Sequence, residues 1–167
     1  MQKVSHLRAK RRNVVPFLTT VLIVAADQLS KIWIRSNLAV GESIPESEFF
    51  QITHVHNTGA AFGLFQGHSF ALTIVALVGI AIFLLYALFA YRRFPYLDNM
   101  PNRVAVGLIL GGTVGNLIDR LNPNLEGVTD FISIGIWPTF NIADSAVTIG
   151  AILFAYSLLR SVRAEKH

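Results

Sequence analysis

The sequence contains no cysteine among its 167 residues. Without thiols the chain can form no disulfide, no zinc–thiolate site and no cysteine nucleophile. Charge is also scarce, since Asp, Glu, Lys and Arg make up 14% of the residues whereas 53% are hydrophobic. A chain this short cannot bury so much apolar surface in one soluble core. The composition therefore indicates an integral membrane protein, and the clustered bases behind the net charge of +4 indicate membrane topology and no nucleic-acid partner.

Four apolar stretches are each long enough to cross the hydrocarbon core of a bilayer as a helix. They cover about residues 14–35, 69–91, 103–121 and 142–160. The first imitates a secretory signal peptide, with a basic start and Val24-Ala25-Ala26 as a candidate cleavage site, but its helical pattern continues past Ala26. The predicted fold is an all-α integral membrane protein with four transmembrane helices, forming a single membrane domain over residues 1–167.

Lys and Arg are absent from the two longer loops, residues 36–68 and 122–139. By contrast, residues 1–13 carry five of these bases, and others lie between the second and third spans and in the C-terminal tail. Cytoplasmic loops of membrane proteins carry the excess of Lys and Arg. The sequence therefore predicts that both termini are cytoplasmic and that both longer loops lie on the outer face.

Both outer loops contain segments with the composition of β-strands. Residues 49–56 combine β-forming side chains with a rough alternation of polarity, and residues 128–137 are similar. Asn57-Thr58-Gly59 has the composition of a turn, and the apolar run from Ala60 to Phe65 is predicted to lie in the membrane interface. We therefore expect a small extracytoplasmic sheet beside the four helices.

Polar and small residues recur at helical spacing within the spans. Asp27 and Lys31 lie four residues apart on the first helix, so an internal ion pair would make both tolerable in the bilayer. On the third helix Gly107, Gly111 and Gly115 form a small-residue stripe, which predicts close packing of another helix in preference to a contact with substrate.

Asn116, Asp119 and Arg120 follow that stripe at the end of the third helix. Two interpretations are open for them. Arg120 is either an anchor that reaches to lipid headgroups or a member of a polar network beneath a catalytic pair.

Asp130 and Asp144 are the candidate catalytic pair. Asp144 opens the fourth helix, Asp130 lies in the extended segment before it, and the 13 residues between them let the two carboxylates meet at one depth. Two close carboxylates cannot both ionise easily, which suits them to general acid and base catalysis. An ionisable group at the mouth of a membrane helix is costly and favours a functional role.

Other interpretations remain open. His54 and His56 are a candidate metal-chelating pair, although no third ligand is evident. Ser145 beside Asp144 is compatible with a serine protease, although the sequence has no Gly-x-Ser-x-Gly elbow. A small transporter, or an assembly partner without chemistry, is the alternative from another class. A transporter more naturally carries its acids at the midplane of the bilayer, whereas here the polar residues fall toward the outer face.

Five blocks of sequence, in order along nearly the whole chain, resemble the signal peptidase II family, the bacterial lipoprotein signal peptidases. The blocks are Asp27–Lys31, Asn57–Phe62, Gly111–Arg120, Val128–Ile132 and Phe140–Ser145. Thr129 stands where Val is common in that family.

The resemblance implies an aspartic endopeptidase of the bacterial inner membrane whose catalytic acids match Asp130 and Asp144. It implies that further polar positions shape the site, namely Asn57, Gly59, Asn116, Arg120 and Asn141. Asp27, Lys31 and Asp119 are expected to form a structural polar network. The implied substrate is a diacylglyceryl-modified prolipoprotein met among membrane lipids, and the implied inhibitor is of the globomycin type. We expect a monomer that needs neither a metal nor an organic cofactor.

Overall fold

The computed structural model describes residues 2–45, 49–59, 67–90, 93–94 and 97–165. The run from Ala60 to Phe65, predicted to lie in the membrane interface, falls outside these residues. Four of the described helices are long and apolar enough to cross a membrane, at Val14–Asn37, Ser69–Phe89, Met100–Leu121 and Ile142–Arg160. Together with a small sheet, they confirm the predicted fold class.

The helices extend beyond some of the predicted bounds. Helix α1 spans Gln2–Asn37, α2 spans Ser69–Leu85 and continues as a π-helical turn at Tyr86–Ala90, α3 spans Met100–Leu121, and α4 spans Ile142–Glu165. Helix α3 begins three residues before the predicted span of about 103–121, because Asn99 caps the helix. The Asn99 side chain accepts a hydrogen bond from the Asn102 amide at 3.0 Å, and a proline occupies the first turn.

Helix α3 is the central helix of the bundle. Most of it is buried, whereas none of the residues from Ser69 to Leu85 in α2 is. Gly107 and Gly111 of α3 lie against α1, since a Cβ added at these positions would come within 2.6 Å of Thr19 Cβ and 2.7 Å of Ile23 Cβ. The predicted role of the glycine stripe in helix packing is confirmed.

Gly112, beside that stripe, is expected to tolerate no side chain. A Cβ there would clash with the Ala143 carbonyl oxygen and lie 2.8 Å from Val147 Cγ2 on α4. Gly112→Ala should push α4 away from α3 and lower the free energy of unfolding by about 1–3 kcal/mol. Gly79→Ala is the matched control, because a Cβ there meets none of the described atoms within 4 Å. Thermal unfolding in detergent measures both variants, and equal transitions would contradict close packing at Gly112.

The described strands form one antiparallel sheet with the order β1-β2-β3-β4. Their bounds are β1 Ser43–Ile44, β2 Phe50–Asn57, β3 Val128–Ile134 and β4 Trp137–Phe140.

The sheet packs on the end of α1 and the start of α4. Ile34 of α1 and Leu38, directly after that helix, form a buried cluster with Phe131 of β3, and Ile142 at the start of α4 packs against it. Burial of these side chains holds β3 beside the first turn of α4. The packing therefore places Asp130, the neighbour of Phe131, close to the helix that carries the second acid.

Candidate active site

Asp130 lies in the middle of β3 and is 2% exposed. Its Oδ2 accepts a hydrogen bond from Asn57 Nδ2 at 2.8 Å, and its Oδ1 accepts one from Asn141 Nδ2 at 2.7 Å. Val55 is the cross-strand partner of Asp130, and Asn57 lies two residues further along β2. Because side chains alternate along a strand, this register brings Asn57 to the face that carries Asp130.

Asp144 lies in the first turn of α4, where Asn141 is the residue that precedes the helix. The Asp144 amide donates to Asn141 Oδ1 at 2.9 Å, and the Asn141 amide donates back to Asp144 Oδ2 at 3.3 Å. This reciprocal arrangement is a capping box, which satisfies two amides that a helix N-terminus leaves without partners. It fixes the backbone and the carboxylate of Asp144 together.

Two asparagine amides bridge the two acids. Asn141 Nδ2 donates to Asp130 Oδ1 and also to Asn116 Oδ1 at 3.0 Å, while Asn116 Nδ2 donates to Asp144 Oδ1 at 2.8 Å. The chain of hydrogen bonds therefore runs from Asp130 through Asn141 and Asn116 to Asp144. Each carboxylate receives neutral amide donors, which orient its oxygens without adding a cation in direct contact.

Lys31 lies beneath this bridge with its side chain fully buried. Its Nζ donates to Asn116 Oδ1 at 2.9 Å and lies 2.9 Å from Asp27 Oδ2 and 3.2 Å from Asp119 Oδ2. The ion pair predicted between Asp27 and Lys31 is present, and Asp119 joins it. A buried ammonium between two carboxylates satisfies all three groups away from water.

The same ionic cluster holds the backbone next to each acid. Asp27 Oδ1 accepts a hydrogen bond from the Ala143 amide at 3.0 Å, immediately before Asp144. Asp119 Oδ2 accepts one from the Thr129 amide at 3.0 Å, immediately before Asp130. Asp27 and Asp119 therefore position the two candidate catalytic residues through the main chain.

Arg120 holds the turn that follows β2. Its Nη2 donates to the Gly59 carbonyl at 3.0 Å, and the Gly59 amide donates to Asn57 Oδ1 at 2.8 Å. Arg120 Nε is buried and has no hydrogen-bond partner among the described residues. Arg120 therefore supports Asn57 indirectly, through the Gly59 turn.

Arg35 and Gln28 belong to the site's support but carried no role in the sequence interpretation. Arg35 Nη1 donates to Thr129 Oγ1 at 3.0 Å and lies 3.6 Å from Asp119 Oδ1, while Gln28 Nε2 donates to Asp119 Oδ1 at 3.2 Å. The signal that could have found Arg35 is its position four residues after Lys31, on the same helix face.

An apolar cleft of about 450 Å³ leads to Asp144. Its polar lining includes Asn57 and Asp144, and its apolar walls come from the β3–β4 hairpin and from α4. The main apolar lining residues are Ile134, Trp137, Pro138, Phe140 and Ile149. A mostly apolar cleft with a few convergent polar groups suits a substrate with an extended apolar part.

The protonation of Asp130 follows from its surroundings. Burial, followed by the charge of Asp144, raises the pKa of Asp130 from its ordinary 3.8 to about 7, although hydrogen bonds from Asn57 and Asn141 and the charge of Lys31 oppose the rise. The sequence interpretation found no cation between the two acids along the chain, and the fold supplies Lys31 from α1. Near neutral pH the Asp130 carboxyl group is therefore present in both its protonated and its ionised form.

The raised pKa predicts a pH-dependent stability. Between about pH 4 and about pH 7 folded Asp130 keeps a proton that the unfolded chain has released, so its contribution to stability falls as the pH rises through this window. Asp130→Asn should therefore gain stability relative to the unaltered protein as the pH rises. Chemical unfolding at both ends of the window measures this, with Asp98→Asn outside the site as the control. A stability difference independent of pH would contradict the assignment.

The other candidate groups from the sequence are His54, His56 and Ser145, and each has its own contacts. The rings of His54 and His56 lie 5.0 Å apart, and His54 Nδ1 is 2.9 Å from the Leu38 carbonyl oxygen. Within the described ranges no group of three or more His, Asp or Glu side chains is arranged to hold a metal ion. Ser145 lines the cleft, and its hydroxyl donates to the Asn141 carbonyl at 3.1 Å.

Fold and site together define a multi-pass membrane protein in which asparagines bridge a buried carboxylate, Asp130, and a partly buried one, Asp144, at the end of an apolar cleft. A family model described as "Signal peptidase (SPase) II" matches residues 19–160. The chain belongs to the signal peptidase II family and is a peptidase of the membrane.

Individual proteins that are similar to this chain support the same family assignment. The chain is 55% identical to a lipoprotein signal peptidase of Dehalococcoides mccartyi over 84% of this chain and 86% of that one. It is 45% identical to a lipoprotein signal peptidase of Moorella thermoacetica, over 87% of this chain and 93% of that one. A solved bacterial membrane enzyme, determined by the in meso method at 2.3 Å resolution, superposes with a TM-score of 0.76 and 32% identity, covering 88% of each chain.

Proposed function

We propose that this chain is an aspartic endopeptidase that removes signal peptides from diacylglyceryl-modified prolipoproteins, by hydrolysis of the bond before the lipidated cysteine. The observation that carries the proposal is the bridge from Asp130 through Asn141 and Asn116 to Asp144 at the end of the cleft. Family membership and relatives named lipoprotein signal peptidase support the choice of substrate.

In the proposed mechanism the two carboxyl groups share one proton. The ionised carboxylate takes a proton from a water molecule, whose oxygen attacks the scissile carbonyl carbon. The protonated carboxyl donates a hydrogen bond to the carbonyl oxygen, where negative charge develops. When the tetrahedral intermediate collapses, the amine of the lipidated cysteine leaves with one proton. The pair then again holds a single proton, so no metal or organic cofactor takes part.

The surrounding polar residues have positioning roles in this proposal. Asn57 and Asn141 orient the Asp130 carboxylate, and Asn116 orients that of Asp144. Arg120 holds the Gly59 turn, and its buried Nε, which has no hydrogen-bond partner among the described residues, would donate to a carbonyl oxygen of the substrate. Because these donors are fixed by the fold, little reorganisation is needed when the substrate enters.

The apolar walls of the cleft would receive the acyl chains and the apolar part of the signal peptide, which enter from the membrane lipids. An inhibitor of the globomycin type would occupy the same space as the substrate. One chain supplies both acids and the asparagines that contact them, from α3, the sheet and the start of α4. A monomer is therefore sufficient for the proposed reaction.

Cleavage by purified protein distinguishes this proposal from the transporter alternative. The protein in detergent, with no ion gradient, should cleave a peptide that carries a lipobox with a diacylglyceryl cysteine. The same peptide without the lipid should be a much poorer substrate, because it cannot bury acyl chains in the cleft. No cleavage of the lipidated peptide by folded protein would contradict the proposal.

The proposed orientation places both termini in the cytoplasm and the site at the outer face of the bacterial inner membrane. Because the natural chain has no cysteine, single cysteines can report the sides of the membrane. Cysteines at Val40 and Asn124, both exposed, should react with an impermeant reagent on intact cells. A cysteine at exposed Arg93, on the basic side, should react only after the membrane is opened. Labelling of position 93 alone in intact cells would reverse the orientation.

A further inference from the structure

The turn between β3 and β4 carries an exposed apolar surface. Ile136 is 100% exposed and Trp137 is 63% exposed. Phe49, which is 73% exposed, joins them because its carbonyl accepts a hydrogen bond from the Gly135 amide at 2.7 Å. We call Phe49, Ile136 and Trp137 the hairpin tip. Three large apolar side chains exposed together indicate a contact surface, whereas a single one would not.

The shape of the turn forces Ile136 outward. Gly135 has a φ of +51°, a conformation that favours glycine, and Ile134 pairs with Trp137 across the turn. Gly135 and Ile136 therefore form a tight two-residue turn with the isoleucine at its end. The turn itself does not require an apolar residue at position 136, because a polar residue would fit the same exposed position.

Charge is distributed unevenly along the β3–β4 hairpin and the loop before it. Residues 131–140, which form most of β3, the turn and β4, include no charged residue. At the opposite end, the loop before β3 is polar and carries Glu126 together with Asn122 and Asn124. If the whole hairpin faced water, charged residues would be expected at both of its ends. The observed difference is expected where one end of the sheet meets lipid and the other meets solvent.

The β3–β4 hairpin and the first part of α4 line one cleft. Trp137 lines the same cleft as Ile149, which lies seven positions after Ile142 at the start of the span. At a rise of about 1.5 Å per residue, Ile149 lies about 10 Å along the helix from its start. The β3–β4 hairpin therefore lies beside the first part of the membrane-spanning helix α4.

We propose that the hairpin tip is a membrane anchor that inserts into the boundary between headgroups and acyl chains, in the leaflet where α4 begins. Trp137 would act as an interfacial aromatic, with Phe49 and Ile136 buried in lipid beside it. The anchor would hold the sheet against the bilayer and keep the cleft open to lipid. The inference stands independently of the proposed cleavage, because it concerns the contact with lipid alone.

Fluorescence tests this contact because the sequence has only two tryptophans, Trp33 and Trp137. Trp33→Phe leaves Trp137 as the sole emitter. In phosphatidylcholine vesicles with bromine atoms on the upper part of the acyl chains, we expect a clear loss of Trp137 emission relative to vesicles without bromine, because tryptophan at the interface lies beside the upper acyl chains. Iodide in the water should quench it little. The same result is expected in an Asp144→Asn background, so the outcome does not depend on activity.

Ile136→Glu supplies the perturbation, with Asn124→Glu at the polar end of the sheet as the matched control. In the Trp33→Phe background, Ile136→Glu should reduce quenching by bromine and increase quenching by iodide, while Asn124→Glu changes neither. Strong iodide quenching with no effect of bromine would overturn the proposal. Emission insensitive to both quenchers would also overturn it, because a second copy of the chain would then cover the hairpin tip.

If Trp33→Phe does not fold, a probe at the turn gives the same test. Ile136→Cys would be the only cysteine in the chain and can carry an environment-sensitive dye. We expect the dye on the reconstituted protein to emit at shorter wavelength than the free dye in buffer. Brominated lipid should reduce the emission of the attached dye. An emission typical of water and unaffected by bromine would contradict insertion.

Discussion

Asp144→Asn is expected to lower single-turnover cleavage of a lipidated lipobox peptide by about 10³-fold, the size typical of losing a general acid or base. Asparagine has nearly the same shape as aspartate, and its oxygen can still accept the hydrogen bond that Asn116 Nδ2 donates to Asp144 Oδ1. It cannot take a proton from water. The variant should therefore fold and insert, keep much of its affinity for a globomycin-type inhibitor, and fail in the chemical step.

Asp98→Asn is the matched control for this experiment. Asp98 precedes the start of α3 and pairs with Arg103 at 2.8 Å, whereas Asn116 of the site lies near the other end of that helix. It should leave cleavage close to that of the unaltered protein. A similar loss in both variants would indicate a general effect on folding and would remove support for a chemical role of Asp144.

Lys31→Met is expected to produce the largest loss of stability. The substitution removes the ammonium that faces Asp27 and Asp119, whose side chains are 0% and 1% exposed. Breaking a buried ion pair by removing one partner typically costs about 3–5 kcal/mol, because the remaining charge has no compensation. Thermal unfolding in detergent, together with folded yield, measures the change.

Two comparisons make this prediction specific. Arg103→Met breaks a partly exposed ion pair with Asp98 and should cost only about 0–1 kcal/mol. Asp27→Ala should cost less than Lys31→Met, because Lys31 would keep Asp119 at 3.2 Å and Asn116 at 2.9 Å. Equal and small losses for Lys31→Met and Arg103→Met would contradict the role of the buried cluster.

The sequence predicted the helices well because hydropathy over about 20 residues depends on composition alone. Their ends depend on local capping, and Asn99 shows how a single side chain moves a boundary. The spacing of Asp27 and Lys31 predicted their ion pair, since both lie on one helix. No spacing rule could show that Asp27 also binds the Ala143 amide, 116 residues away.

The candidate acids were predicted from their place at the start of a span, whereas their bridging residues were inferred from resemblance. Asn116 lies on α3 and Asn141 directly precedes α4, and only the packing of α3 against α4 brings their amides together. Asn57 reaches Asp130 because of the register of β2 and β3, which includes a bulge between Ile52 and Val55. A bulge changes which residues face each other, and the sequence pattern does not reveal it.

The proton-sharing pair makes a definite prediction for the double variant. Cleavage under single-turnover conditions should be measured for Asp130→Asn, Asp144→Asn and both together, with thermal stability checked alongside. If the two carboxylates act as one unit, each single variant loses about 10²–10⁴-fold and the double variant is little worse than either single. Losses that multiply in the double variant would contradict a shared role. Near-normal cleavage by either single variant would remove that residue from the mechanism and point to Asp27 or Asp119 as the missing acid.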